Sequence, residues 1–145
     1  MSHATTRTTL LVLEGFVAFT ALFGAVFVVP TLPLDWIRTG PLADFTIPAV
    51  ALGVFVGGSA VVAFGLLTLD HRSSAVASMI AGAVMIVFEF VEIAVVGLAV
   101  IEHGAENLVS WLQLVYIGLG IAGMTLGYHL WQSPAIPRAY TRRAH

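Results

Sequence analysis

Two acids stand three residues apart inside an otherwise apolar stretch, in Phe88-Glu89-Phe90-Val91-Glu92. On a helix, that spacing puts Glu89 and Glu92 on one face, about 4.5 Å apart along the axis. A charged carboxylate in the middle of a hydrocarbon layer costs about 3 kcal/mol on insertion scales, and more by simulation. Two so close cannot both stay ionised without a cation or strong donors beside them. The chemistry open to such a pair is to exchange a proton or hold a cation. Gln113 and Tyr116, on a later apolar segment, carry the hydrogen-bonding groups that would complete the site. A structural alternative stays open, in which both acids are protonated and bonded to Thr20, Ser59, Gln113 or Tyr116.

A third acid, Glu14, lies about one turn inside the first apolar segment as read from the sequence, on its small-residue side. It is expected roughly 10 Å along the axis from Glu89, too far for a direct pair. His129 is expected at a similar depth, but on the face opposite Gln113 and Tyr116, and reads as an interfacial histidine. Nothing near it supports a haem ligand. Glu102, His103 and Glu106, with Asp35 and Asp44, form an acidic outer rim. Such a rim could attract cations or hold a metal, but solvated loop charges and a helix cap account for it more simply.

Composition removes several function classes. With no cysteine, disulfides, thiolate metal sites, iron–sulfur clusters and the thiol chemistry of small quinone-linked thiol oxidases are excluded. The net charge of −2 gives no reason to expect a nucleic-acid partner. No nucleophile–base pair, phosphate loop or metal motif is evident, so no enzyme activity is expected. No cofactor is indicated.

The elements that position these residues follow from hydropathy. The 145 residues are 59% hydrophobic and 10% charged, with a mean hydropathy of +0.97. A chain this apolar cannot cover itself with polar surface, so its expected solvent is lipid. Four apolar segments, at about 9–29, 46–69, 75–101 and 108–131, are each long enough to cross a hydrocarbon core of about 30 Å. The expected fold is an all-α transmembrane four-helix bundle in one domain covering 1–145, since helices satisfy their own backbone in lipid. The first segment is too long for a signal-peptide core and has no cleavage site after it. Asp44, Thr46 and Ser73 or Ser74 are candidate caps, as is Asn107 for the fourth helix. The loop 30–45 reads as a connector.

Arginine sets the orientation. Arg7, Arg72, Arg138, Arg142 and Arg143 fall on one side and only Arg38 on the other. That bias places both termini in the cytoplasm and the protein in the inner (plasma) membrane, with lipid as its first partner. Each segment also has a smooth face: Glu14, Ala18, Ala21 and Ala25; Ala49, Gly53, Gly57 and Ala60; Ser78, Gly82, Met85, Glu89 and Glu92; Gln113, Tyr116, Gly120, Gly123 and Gly127. Small and polar residues belong at helix contacts in membranes. The bulky faces, including Phe16, Phe19, Phe23 and Phe27 and a row of Ile80, Val84, Val87 and Val91, are expected against lipid. The two G-x-x-x-G motifs serve packing within the chain as well as they would serve a homo-oligomer.

In Phe88-Glu89-Phe90-Val91-Glu92, Leu13-Glu14-Gly15-Phe16 and Asp44-Phe45-Thr46-Ile47-Pro48, the chain resembles small four-helix membrane proteins of bacteria that have no assigned function. The resemblance implies membrane location and no activity. An acid early in the first helix is also found in small multidrug-resistance transporters, but the first loop here is too long and the Glu89–Glu92 pair has no counterpart there. The expected function is binding or transport of a small molecule or cation at a protonatable glutamate pair. The alternative is an accessory or scaffold subunit of a larger membrane complex, with the acids as structural contacts.

Overall fold

The computed structural model describes residues 2–32, 44–94 and 106–133, with the side chains of 106–110 left aside. Trp36, Asp35, Arg38, Glu102, His103, Arg138, Arg142 and Arg143 lie outside the described residues, as do the side chains of Glu106 and Asn107. The described residues are helical throughout, with no strand, and four helices are long and apolar enough to cross a membrane.

Helix α1 spans His3–Thr31. Its α-helical part, His3–Phe23, starts six residues before the apolar stretch does, because Ser2 caps it: Thr5 N–H donates to Ser2 Oγ at 3.2 Å. It continues as a π-helical turn at Gly24–Val28 and a 3₁₀ turn at Val29–Thr31, where Pro30 ends the regular ladder. Helix α2 spans Thr46–Thr68, entered through the Asp44 carboxylate, which accepts from Thr46 N–H at 2.9 Å. A second π-helical stretch, Leu52–Gly57, interrupts it. Helix α3 covers Ser74–Glu92, with Ser73 at its N-cap position but no side-chain bond from it. Helix α4 covers Glu106–Gln132, so Asn107 falls inside its first turn rather than in front of it.

The α2–α3 turn closes in a pattern readable from its bonds. His71 N–H reaches Leu66 O at 2.9 Å and Asp70 N–H reaches Leu67 O at 3.2 Å, with Asp70 left-handed at φ 53°. This is a Schellman ending with aspartate in the place glycine usually takes. Arg7 adds to it from α1. Its Nε and Nη2 donate to Leu67 O at 3.0 and 2.7 Å, and Nη1 lies 3.4 Å from Asp70 Oδ1. An arginine that sequence assigns to the topology signal therefore also ties α1 to the last carbonyls of α2. Arg7→Ala is expected to lower resistance to unfolding in detergent by about 1–2 kcal/mol, the scale of charge-assisted hydrogen bonds reduced for partial exposure. Equilibrium unfolding in a denaturing detergent reads this.

The helices pack in sequence order around a ring, α1 on α2, α2 on α3, α3 on α4, and α4 back on α1. Short connections make antiparallel neighbours the expected arrangement. The tightest seam is α3 against α4, where glycine removes the side-chain spacer. A Cβ on Gly82 would sit 2.5 Å from Gly120 O, and one on Gly127 would sit 2.9 Å from Ala75 O. The other G-x-x-x-G, Gly53 and Gly57, meets Ala25, Leu22 and Ala21 of α1 at 3.0–3.6 Å. Both motifs are therefore used within the chain.

The outer surface is apolar. Val12, Phe16, Phe19, Phe23 and Phe27 are all exposed, as are Ile80, Val87 and Val91. Val84 departs from the expected lipid row and instead packs against the core.

Candidate functional site

Along the bundle axis the interior alternates between greasy and polar levels. At the end formed by Ser2, the α2–α3 turn and Ser133, an apolar layer of Leu10, Leu67, Ala75 and Leu130 closes the interior. The next level holds Glu14 and Ser78, 1% and 0% exposed. A second apolar layer follows, built of Val17, Ala18, Ala21, Val56, Ala60 and Met85. Beyond it come Glu89 and Gln113, 4% and 8% exposed.

The Glu89 level follows from the α3–α4 register. Ala75 meets Gly127 and Gly82 meets Gly120, a step of seven residues on each helix. One more step of seven, in opposite chain directions, brings Glu89 level with Gln113. The sequence expectation that these two share a face of the interior is met, and both are buried. Tyr116, one turn from Gln113, is half-buried and packs on the central apolar layer. Glu92 is half-buried one turn beyond Glu89, close enough for the two carboxyls to interact electrostatically. Gln113 Nε2 is buried without a hydrogen-bond partner among the described residues.

Two of the proposed structural partners for the acids are committed elsewhere. Thr20 Oγ1 donates to Phe16 O at 3.0 Å, and Ser59 Oγ donates to Val56 O at 3.0 Å. Both hydroxyls bond back into their own helix, as such residues do in apolar surroundings. They do not satisfy the carboxyls.

Glu14 differs from its sequence reading. Because α1 starts at His3, Glu14 lies eleven residues into the helix, about 16 Å from its start rather than one turn. It is buried and cannot extend to the surface. Ser78 lies beside its carboxyl, but the geometry stops short of a bond: Glu14 Oε1 and Ser78 Oγ are each buried without a partner. The pairing of Glu14 with Ser78 was missed because each helix was sorted into faces alone. Both residues already stood on inward stripes, and only the contact between helices sets them at one level.

His129 is exposed on α4, away from Glu14. Asp44, at the opposite end, lines a recess of about 190 Å³ with Pro30, Phe45, Thr46 and Ala49. No group of three or more His, Asp or Glu side chains is placed to hold a metal among the described residues. The ion pair seen, Arg7–Asp70, sits at the end of the bundle and leaves the interior acids without a basic neighbour among those residues. No protein-family model, curated protein or solved structure matches the chain.

Proposed function

We propose that this is a polytopic protein of the inner (plasma) membrane, with both termini in the cytoplasm, that binds or translocates a small cation or protonated small molecule at the Glu89 level. The arginine bias supports the orientation. One observation carries the functional reading: a carboxyl buried to 4% exposure stands level with an equally buried amide, and no described base neutralises it. Buried acids in a membrane interior are costly, and a protein gains nothing in stability by keeping them without partners. Glu89 would take up the proton or cation, Glu92 would disfavour double ionisation, and Gln113 and Tyr116 would orient the occupant. One bundle offers little room for a pore, so translocation calls for a homo-oligomer. No covalent chemistry is assigned to the site, and we read the protein as a non-enzyme.

The test uses purified protein in liposomes with a trapped pH-sensitive dye. The wild type is expected to dissipate an imposed pH gradient at least tenfold faster than protein-free vesicles, and Glu89→Gln to fall to the protein-free rate while remaining helical. Equal rates for wild type and Glu89→Gln would end the reading.

A second reading, an accessory subunit of a larger complex, draws on the outward aromatic row. Phe19, Phe23 and Phe27 stack successively at ring separations of 5.9 and 5.0 Å. It expects a co-purifying partner held through that row.

A further inference from the structure

The level below Glu89 has a geometry of its own. Glu14 Oε1 and Ser78 Oγ are both fully enclosed, lie beside one another, and are both unpartnered among the described residues. In a protein interior, such groups are almost always satisfied, and each exception calls for a cause. The third wall is Gly123 of α4. A Cβ built there would meet Leu13 Cδ2 at 3.7 Å, Glu14 Oε1 at 3.8 Å and Gly82 Cα at 3.8 Å. All three are ordinary contact distances, unlike those at Gly82, Gly120 and Gly127, where the backbone blocks a Cβ. The glycine at 123 therefore leaves room for one methyl-sized group against an orphan carboxyl oxygen.

We propose that Glu14, Ser78 and Gly123 enclose a second binding site, separate from the Glu89 level, that holds one water-sized, oxygen-coordinated monocation: a proton shared between Glu14 and a bound water, or a bare sodium ion in its place. A single occupant bonded to both oxygens would satisfy the orphan groups together. The apolar layers on either side enclose it, Leu10, Leu67, Ala75 and Leu130 on one and Val17, Ala18, Ala21, Val56, Ala60 and Met85 on the other. They also separate it from Glu89, about 10 Å away along α3 as counted from Gly82.

The charged and titratable surroundings are sparse. On α3 the neighbour is Ser78, on α4 Gly123 and on α2 the buried Ala63. The nearest charge on α1 itself is Arg7, two turns away and bound to Leu67 O. His129 faces outward. The occupant therefore answers to Glu14 alone, and the site stands whether or not Glu89 proves functional.

Infrared spectroscopy of the purified protein in lipid nanodiscs, in sodium chloride or choline chloride, reads the site through the carboxylic C=O stretch. The wild type in choline is expected to show a hydrogen-bonded carboxylic band that Glu14→Gln removes and Glu89→Gln leaves in place. Gly123→Ala, whose methyl takes the room, is expected to move that band to the frequency of a free carboxyl. Ser78→Ala, which removes the other wall without adding bulk, is expected to shift it as well and covers the case in which Gly123→Ala does not fold. Persistence of the wild-type band in sodium identifies the proton on water. Its loss in sodium, with retention in Gly123→Ala, identifies the sodium ion. A Glu14 band unmoved by both variants in either salt would overturn the proposal, as would the absence of any band assignable to Glu14 in both salts. Neither result would alter the Glu89 flux experiment.

Discussion

Gly82→Ala is expected to break the α3–α4 seam and to cost about 3 kcal/mol or more, the upper end of overpacking penalties. The new Cβ would stand 2.5 Å from Gly120 O, and that atom is backbone. No rotamer change relieves the clash, so the helices must separate along a seam that carries Ala75, Gly82, Gly120 and Gly127. Separation would also pull Glu89 from the level of Gln113. Gly65→Ala is the matched control. Nothing lies within 4 Å of a Cβ there, and replacing a mid-helix glycine by alanine is expected to stabilise by about 0.5–1 kcal/mol. Unfolding of both variants in a denaturing detergent checks the pair, and equal effects would mean the glycines are not the contact.

The second expected result has the opposite sign. Glu14→Met keeps the side-chain volume while removing a buried, unpartnered carboxyl. Leaving a polar group unsatisfied costs about 1–3 kcal/mol, and an apolar replacement of similar shape recovers much of it. The variant is therefore expected to be more stable than the wild type by about 1–3 kcal/mol in the same unfolding assay. A carboxyl kept for structure would behave otherwise, because its removal would cost bonds and lower stability. The assay thus separates a site maintained against stability from a polar staple, in keeping with the general trade-off between activity and stability.

Much of this arrangement was legible in residue periodicity. Glu14, Ala18, Ala21 and Ala25 were expected inside and are buried, while Phe16, Phe19, Phe23 and Phe27 were expected outside and are exposed. The reason is physical: packed helices need small side chains, and the 100° step of the helix makes that need visible in one dimension. The stripe Ser78, Gly82, Met85 and Glu89 was equally clear and equally buried.

Other features depend on relations between helices, which no single stripe contains. The level shared by Glu14 and Ser78 is one, and the inward turn of Val84 is another. The π-helical turns at Gly24–Val28 and Leu52–Gly57 were not foreseen. Both lie among glycines and branched aliphatics, and a single added residue per turn leaves no compositional mark. The start of α1 was misplaced because hydropathy locates the apolar stretch, whereas Ser2 and its cap locate the helix. That error moved Glu14 from the rim to the interior, and with it the reading of what the residue can do.

The central claim is that the acids point into a bundle whose outer faces meet hydrocarbon. The chain has no cysteine, so cysteines introduced one at a time from position 14 to 23 can each carry a nitroxide in liposomes. Collision with oxygen, which concentrates in lipid, is expected to peak at Phe16, Phe19 and Phe23 and to fall to minima at Glu14, Ala18 and Ala21. A scan with its oxygen maximum at Glu14, or with a water-soluble relaxing agent reaching Phe19 freely, would contradict the account.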